Sequence, residues 1–405
     1  MYLLSQLLLF AVAAVDVLHV HGAPTPLEDS KPSELDRRID TTSFSRVSTT
    51  SKRLFQLAGK TQYFAGTNAW WLGHLPSNQD VDTAVAHMAA TGYKVLRVWG
   101  FGTTNDASKS SGDVYYQVLN SSGQYFNYNP SNGIARLDYA VAAAQKKGIQ
   151  LILPLLNNYD DLGGINTYTN VYGGDHNGFY TNAKAQAAYK AYIKFIVNRY
   201  KSSPAIFSWE LCNEPVCPGC AASVITKWAS DTSAYIKSLD PHHMVSLGDE
   251  GWLTATSAGT VPNYDQSHAY TGYNGVDFQR NLAIPTIDYG TFHMYYDLWG
   301  YNASWGSTWI AQHNAIGKAL NKPVMLEEYA VKDGLDRVGI MGPWQETVVK
   351  KTSVAADMLW QFGTVFPSGS RPLDDYAVYW NTSTLAVLGA QHVKDMAAKA
   401  AVATV

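Results

Sequence analysis

The stretch FSWELCNEPVCPGC, Phe207 to Cys220, decides how the chain is read. An apolar run stops at Asn213-Glu214-Pro215, so a carboxylate stands where a strand runs out, between an amide and a proline. A strand-end carboxylate is costly unless something uses it. The same layout recurs along the chain from about Tyr63. Counting AIFSWEL (from Ala205), eight β-rich runs appear: QYFAGTN (from Gln62), KVLRVWG (from Lys94), QLILPLL (from Gln150), HMVSLG (from His243), DYGTFHMY (from Asp288), PVMLEEY (from Pro323) and DMLWQFG (from Asp357) complete the set. Most are separated by segments of helical period, such as VDTAVAHMAATG, LDYAVAAAQKKG and NAKAQAAYKAYIKFIVNRY. The first two end at Gly92 and Gly148, as helix C-termini do.

Eight β-then-α units predict an α/β fold with a parallel sheet, a (β/α)8 TIM barrel with long βα loops. A doubly wound sheet is the competing arrangement. Residue placement favours the barrel: Arg97, Trp99, Asn157, Asn158, Asn213, Glu214, His293, Tyr295, Glu328 and Trp360 fall at or just after the C-terminal ends of the runs. In a barrel those ends converge on one face, where such enzymes build their sites.

The rest of the chain narrows the function. With 46% hydrophobic residues it can bury a large core, and a net charge of −3 with no basic stripe argues against nucleic acid or an anionic membrane as partner. The 26 Tyr and 12 Trp supply faces that stack on sugar rings, although such residues most often pack in cores. Residues 1–23 read as a secretory signal and 24–52, with the Arg37-Arg38 pair, as a propeptide or disordered segment. The catalytic domain is placed at 53–405, with no linker or repeat to mark an appended module. Asn120, Asn302 and Asn381 begin glycosylation triplets compatible with a secreted, extracellular protein, expected as a monomer. Cys217 and Cys220 flank a Pro-Gly turn; a redox pair is conceivable, but export favours a structural disulfide, with Cys212 a buried thiol. No second Cys pair or His/Asp cluster has ligand spacing, so no metal and no cofactor is expected.

Glycosidic cleavage needs an acid at the leaving oxygen and a carboxylate at the anomeric carbon. Glu214 and the Glu327-Glu328 pair can supply them. The pleat is expected to aim Glu327 and Glu328 to opposite sides, so that only one enters the barrel mouth, and spacing does not choose between them. His293 and Tyr295, two apart, share a face and can serve one carboxylate each. Arg97 can hold a nucleophile ionised, and that negative charge would raise the pKa of the acid. Each residue alone has an ordinary structural explanation at a core's rim; their convergence on one face makes that explanation poor.

The segments WELCNEP (Trp209 to Pro215), TFHMYYDLWG (Thr291 to Gly300), KPVMLEEYA (Lys322 to Ala330), LRVWGFG (Leu96 to Gly102) and GTNAWWL (Gly66 to Leu72) resemble glycoside hydrolase family 5, above all its fungal endo-β-1,4-mannanase branch. The likeness runs from about residue 55 to the C-terminus. It implies a retaining enzyme acting on β-mannan, with Glu214 as acid/base and Glu328 as nucleophile. It further implies sugar-site roles for Arg97, Trp99, Asn213, His293, Tyr295 and Trp360. The runs NNYDDLGG from Asn157 and GDEGW from Gly248 resemble loops lining the cleft. Val216, Tyr159 and Ala330 depart from the branch, where Arg, Trp and Gly are usual. A β-1,4-glucanase of the same family is the nearest alternative, and a non-catalytic sugar-binding barrel is a second, disfavoured because both carboxylates and their supports are present.

Overall fold

The computed structural model of the chain describes residues 47–399 except 107, 109–112 and 373. The expected signal segment 1–23 lies outside the described residues, as does 24–46. All eight expected strands are present, as β1 (Phe64–Asn68), β2 (Val95–Arg97), β3 (Gln150–Pro154), β4 (Ile206–Glu210), β5 (Met244–Ser246), β6 (Gly290–Met294), β7 (Val324–Tyr329) and β8 (Ala356–Leu359). They form one sheet in the order β5-β4-β3-β2-β1-β8-β7-β6, each neighbouring pair parallel. The seam between β5 and β6 is closed by two bonds: the Asp288 N–H donates to Val245 O at 2.8 Å and the Val245 N–H to Asp288 Oδ2 at 2.7 Å. The barrel reading therefore holds over the open doubly wound sheet.

A helix follows each strand: α1 (Asn78–Thr91), α2 (Ala135–Lys146), α3 (Ala183–Tyr200), α4 (Ser223–Leu239), α5 (Phe278–Leu282), α6 (Trp305–Leu320), α7 (Arg337–Glu346) and α8 (His392–Ala398). Their boundaries obey local chemistry. Ser77 caps α1 by accepting the Asp80 N–H, and Gly92 ends it at φ +102°, where a side chain would be strained. Asn182 caps α3, whose Tyr189, Tyr192, Ile193, Ile196 and Tyr200 recur at helical spacing on the buried face.

The two ends of the barrel differ in chemistry. At the N-terminal end, a three-stranded antiparallel sheet (Thr49–Ser51, Leu54–Leu57, Lys60–Gln62) lays Phe55 against Phe64, Phe207 and Tyr289, with ring centroids 5.1 to 5.5 Å apart. This apolar plug includes Thr49–Ser51, which precedes the expected boundary at residue 53. Toward the C-terminal end the interior turns polar, with Arg97, Glu210, His293 and Glu327 all wholly buried. Asn302 and Asn381 are exposed and Asn120 half-buried, and none of the three lines the cleft. Among the described residues no helix is long and apolar enough to cross a membrane.

Candidate active site

A cleft of about 630 Å³ opens at the C-terminal ends of the strands. Glu214 and Glu328 both line it, along with Trp99, Asn213, Tyr295 and Trp360; Arg97 and His293 lie behind them. The strand ends explain how residues this far apart in sequence meet. Beyond β4 the chain stays bonded on both sides, with the Asn213 N–H donating to Leu156 O at 2.9 Å and the Glu214 N–H to Gly248 O at 2.8 Å. Glu214 then takes φ +51°, a left-handed conformation that costs a non-glycine residue about 1–2 kcal/mol and turns its side chain into the cleft. Gly248 has to be glycine: at φ +85° a Cβ would come within 2.1 Å of Cys212 O and 2.5 Å of Glu210 Oε1.

Arg97 organises the floor. Its five N–H groups all have acceptors: Nε and Nη2 fork onto Glu210 at 3.1 and 2.7 Å, Nη2 also reaches Asn213 Oδ1 at 2.8 Å, and Nη1 bonds Asn68 Oδ1 at 3.3 Å and Glu328 Oε1. The guanidinium also sits 4.7 Å over the Trp99 ring. Sequence reasoning assigned Arg97 to the nucleophile but gave Glu210 no role. The signal was available, since Ser208 and Glu210 are two apart on a barrel strand and so share its inward face.

The two glutamates have separate partners. His293 Nδ1 lies 2.6 Å from Glu214 Oε1, and the Tyr295 hydroxyl donates to Glu328 Oε2 at 2.6 Å. One oxygen each of Glu214 and Glu328, together with a His293 nitrogen, lie within 4.8 Å of one another. Three ligand-type side chains so close resemble a cation site, but the Arg97 guanidinium already occupies Glu328 and opposes a second positive charge. We assign the trio no metal. Burial pushes the Glu214 carboxyl up to about 7, against the pull of Arg97 and a hydrogen bond from Tyr159. Burial, not the Glu328 charge expected from the sequence, is thus the main cause. Burial also raises Glu328, but Arg97 and the Tyr295 bond oppose it, and Glu328 is the one in direct contact with the cation. His293 is pushed down to about 4, chiefly by burial, and is neutral.

The expected alternation of Glu327 and Glu328 is broken. The β6–β7 register runs Phe292 opposite Leu326 and then His293 opposite Glu328, which makes Glu327 the extra residue of a bulge. Both side chains therefore turn inward. Glu328 reaches the cleft, whereas Glu327 lies beneath it, 3.5 Å from Arg97 Nε and 3.4 Å from His293 Nε2.

Aromatic rings form the walls. Trp99 and Trp360 stand 5.9 Å apart at 38°, and Trp360 Nε1 donates to Asp374 Oδ2 at 3.2 Å. Trp70, Trp299 and Tyr376 extend the lining; these, with Asp374, were not singled out from the sequence because their loops carry no period. Glu250, within the GDEGW run, also lines the cleft and accepts the Trp252 indole N–H at 2.8 Å. Tyr159, noted only as a departure, places its phenol on Glu214. Beyond Glu214 the disulfide Cys217–Cys220 closes a turn whose Cys217 and Gly219 N–H groups each bond the 273–274 loop at 2.8 Å, and Cys212 is a buried free thiol.

Comparison with known proteins agrees with this geometry. Residues 171–361 match a family pattern described as GH family 5 beta-mannosidase-like. A probable mannan endo-1,4-beta-mannosidase F of Neosartorya fischeri is 47% identical over 332 residues, covering 81% of this chain and 71% of the relative. A mannan endo-1,4-beta-mannosidase A of Aspergillus aculeatus is 46% identical over 345 residues, 85% of this chain and 89% of that one. Among solved structures, an endo-1,4-beta-mannanase from Rhizomucor miehei superposes with a TM-score of 0.79 at 33% identity, over 87% of this chain and 100% of its own. On the strength of this near half identity across most of both chains, and of a shared barrel, the protein belongs to glycoside hydrolase family 5, in the branch of the fungal endo-1,4-β-mannosidases.

Proposed function

We propose that the protein is a secreted endo-β-1,4-mannanase that hydrolyses internal mannosidic bonds with retention of anomeric configuration. The observation that carries this reading is the pair of carboxyl groups across the cleft, with oxygens within 4.8 Å, one on a fixed cation and the other buried without one. Retaining sites hold their carboxyl groups about 5–5.5 Å apart, because the nucleophile attacks the sugar directly. Oxygens no more than 4.8 Å apart leave no room for an intervening water.

Glu328 enters as the carboxylate. Its oxygen bonds to the anomeric carbon while the bond from that carbon to the leaving oxygen breaks, and Glu214 gives its proton to the departing oxygen. Loss of that proton turns Glu214 into the base that takes a proton from water. The water oxygen then bonds to the anomeric carbon, the bond to Glu328 breaks, and both groups return to their starting states. Arg97 and Tyr295 keep the nucleophile's charge in place; Trp99 and Trp360 offer faces for sugar rings. The relatives' names supply the substrate, mannan. Reducing-sugar release from unsubstituted β-mannan and from a soluble cellulose, measured side by side, tests it: mannan should be cleaved much faster, and equal or faster cleavage of the glucan would move the assignment to a β-1,4-glucanase.

A further inference from the structure

Beneath the two glutamates lie two more carboxyl groups that the double displacement leaves without a task, Glu210 and Glu327. Glu210 is forked by Arg97, which makes it an acceptor. Glu327 is wholly buried, and its two oxygens have different surroundings. Oε2 faces donors, with Arg97 Nε at 3.5 Å and His293 Nε2 at 3.4 Å. Oε1 is buried with no hydrogen-bond partner among the described residues. Burial and the adjacent Glu210 both disfavour a second negative charge, so Glu327 carries a proton. Oε2 faces the two donors, which places that proton on Oε1 and leaves Oε2 an acceptor. His293 then donates Nε2–H to Oε2. A neutral imidazole has a single N–H, so Nδ1 presents its lone pair to Glu214 Oε1 at 2.6 Å.

We propose that Glu327 is a positioning residue that fixes His293 in its Nε2–H tautomer and thereby keeps a proton on Glu214. A lone pair at 2.6 Å must be met by a hydrogen, and the Glu214 carboxyl supplies it. The contact stabilises the acid form in the free enzyme and disfavours the carboxylate, which makes Glu214 a stronger base once the leaving group has taken its proton. The ionisable groups facing His293 are Glu210 from β4, Glu214 beyond it, Glu327 and Glu328 from β7 and Arg97 from β2. Glu328 Oε2, at 3.7 Å from Nδ1, is too far to claim the ring nitrogen. Burial and the Glu210 charge raise Glu327 far above the usual carboxyl range, in keeping with a proton held there.

This inference rests on Glu214 being the acid/base, and the test separates the two. Nitrogen-15 correlation spectra of the histidine rings, with His293 assigned by loss of its signals in His293→Asn, read the tautomer without any turnover. The wild type should show neutral Nε2–H at His293 near neutral pH; neutral Nδ1–H or an imidazolium would overturn the proposal. Glu327→Gln keeps an oxygen that accepts from His293, so it should keep both the tautomer and the position of the basic limb of kcat/KM. Glu327→Leu offers no acceptor, and should release Nδ1–H toward Glu214 and move that limb down by about one pH unit. A limb and tautomer unchanged in a folded Glu327→Leu would also overturn it. Should Glu327→Leu not fold, the wild-type spectrum decides alone. An Nε2–H tautomer alongside a basic limb that survives Glu214→Gln would support the arrangement while rejecting the acid/base reading.

Discussion

Replacing Arg97 by methionine keeps much of the side chain's bulk and removes the cation to which Glu210 and Glu328 are bonded. All three groups are buried, with Arg97 and Glu210 wholly inaccessible. Removing one partner of a buried ion pair costs about 3–5 kcal/mol, because the remaining charge is left in a poorly solvating interior. Taking about 2.1 cal/mol/K of unfolding entropy per residue of the folded body, that loss lowers Tm by about 4–7 °C. The pH dependence has a definite sign. Without the guanidinium, the folded-state pKa of Glu328, already raised by burial, rises further above its unfolded value, so the folded state binds more protons than the unfolded one in between. Stability then falls as pH rises through that window. The deficit of Arg97→Met relative to wild type should be small near pH 4 and largest near pH 7. Scanning calorimetry or intrinsic fluorescence melts at both values would measure it. A deficit equal at the two pH values, or a Tm within about 1 °C of wild type at pH 7, would refute the assignment of Arg97 as the charge that Glu210 and Glu328 depend on.

Further outcomes follow from the same geometry. Glu214 has to be protonated to act as the acid, and its carboxyl is pushed up to about 7, so kcat/KM should fall through a basic limb near pH 7; a rate constant level to pH 9 would reject that. The sign for stability is the same: a carboxyl whose folded pKa lies above its unfolded value contributes less stability as pH rises through the two, so Glu214→Gln should narrow the loss of Tm between pH 5 and pH 8. Glu328→Ala should lose turnover and regain it with azide on an activated mannoside, giving the α-azide, whereas Glu214→Ala should yield the β-azide. Reversed anomers would exchange the roles, and Glu327→Ala giving the α-azide would move the nucleophile to its neighbour. Thiol titration of the denatured, unreduced protein should find one free cysteine, Cys212, and three would contradict the bridge.

By itself the sequence determined the class of fold and which polar residues gather at the strand ends. Eight runs of strand character, helical segments closed by Gly92 and Gly148, and polar residues gathered at run ends are local properties. They depend on side-chain period and on what a backbone turn tolerates, and they survive without knowledge of distances. The motifs around Glu214 and Glu328 are legible for the same reason. What the tertiary structure decided is which groups touch. Strict alternation sends Glu327 and Glu328 apart, but a bulge opposite His293 brings both inward, and a register shift leaves no local mark in a strand of six residues. The upward shift of Glu214 was expected from a neighbouring charge, but its main cause was out of reach, since burial sets it and burial depends on how the loops close over the cleft. Glu210 looks ordinary in sequence. It matters because barrel closure carries strands far apart in the chain to within a few ångströms of one guanidinium, and pairwise electrostatics depends on distances that no single segment contains.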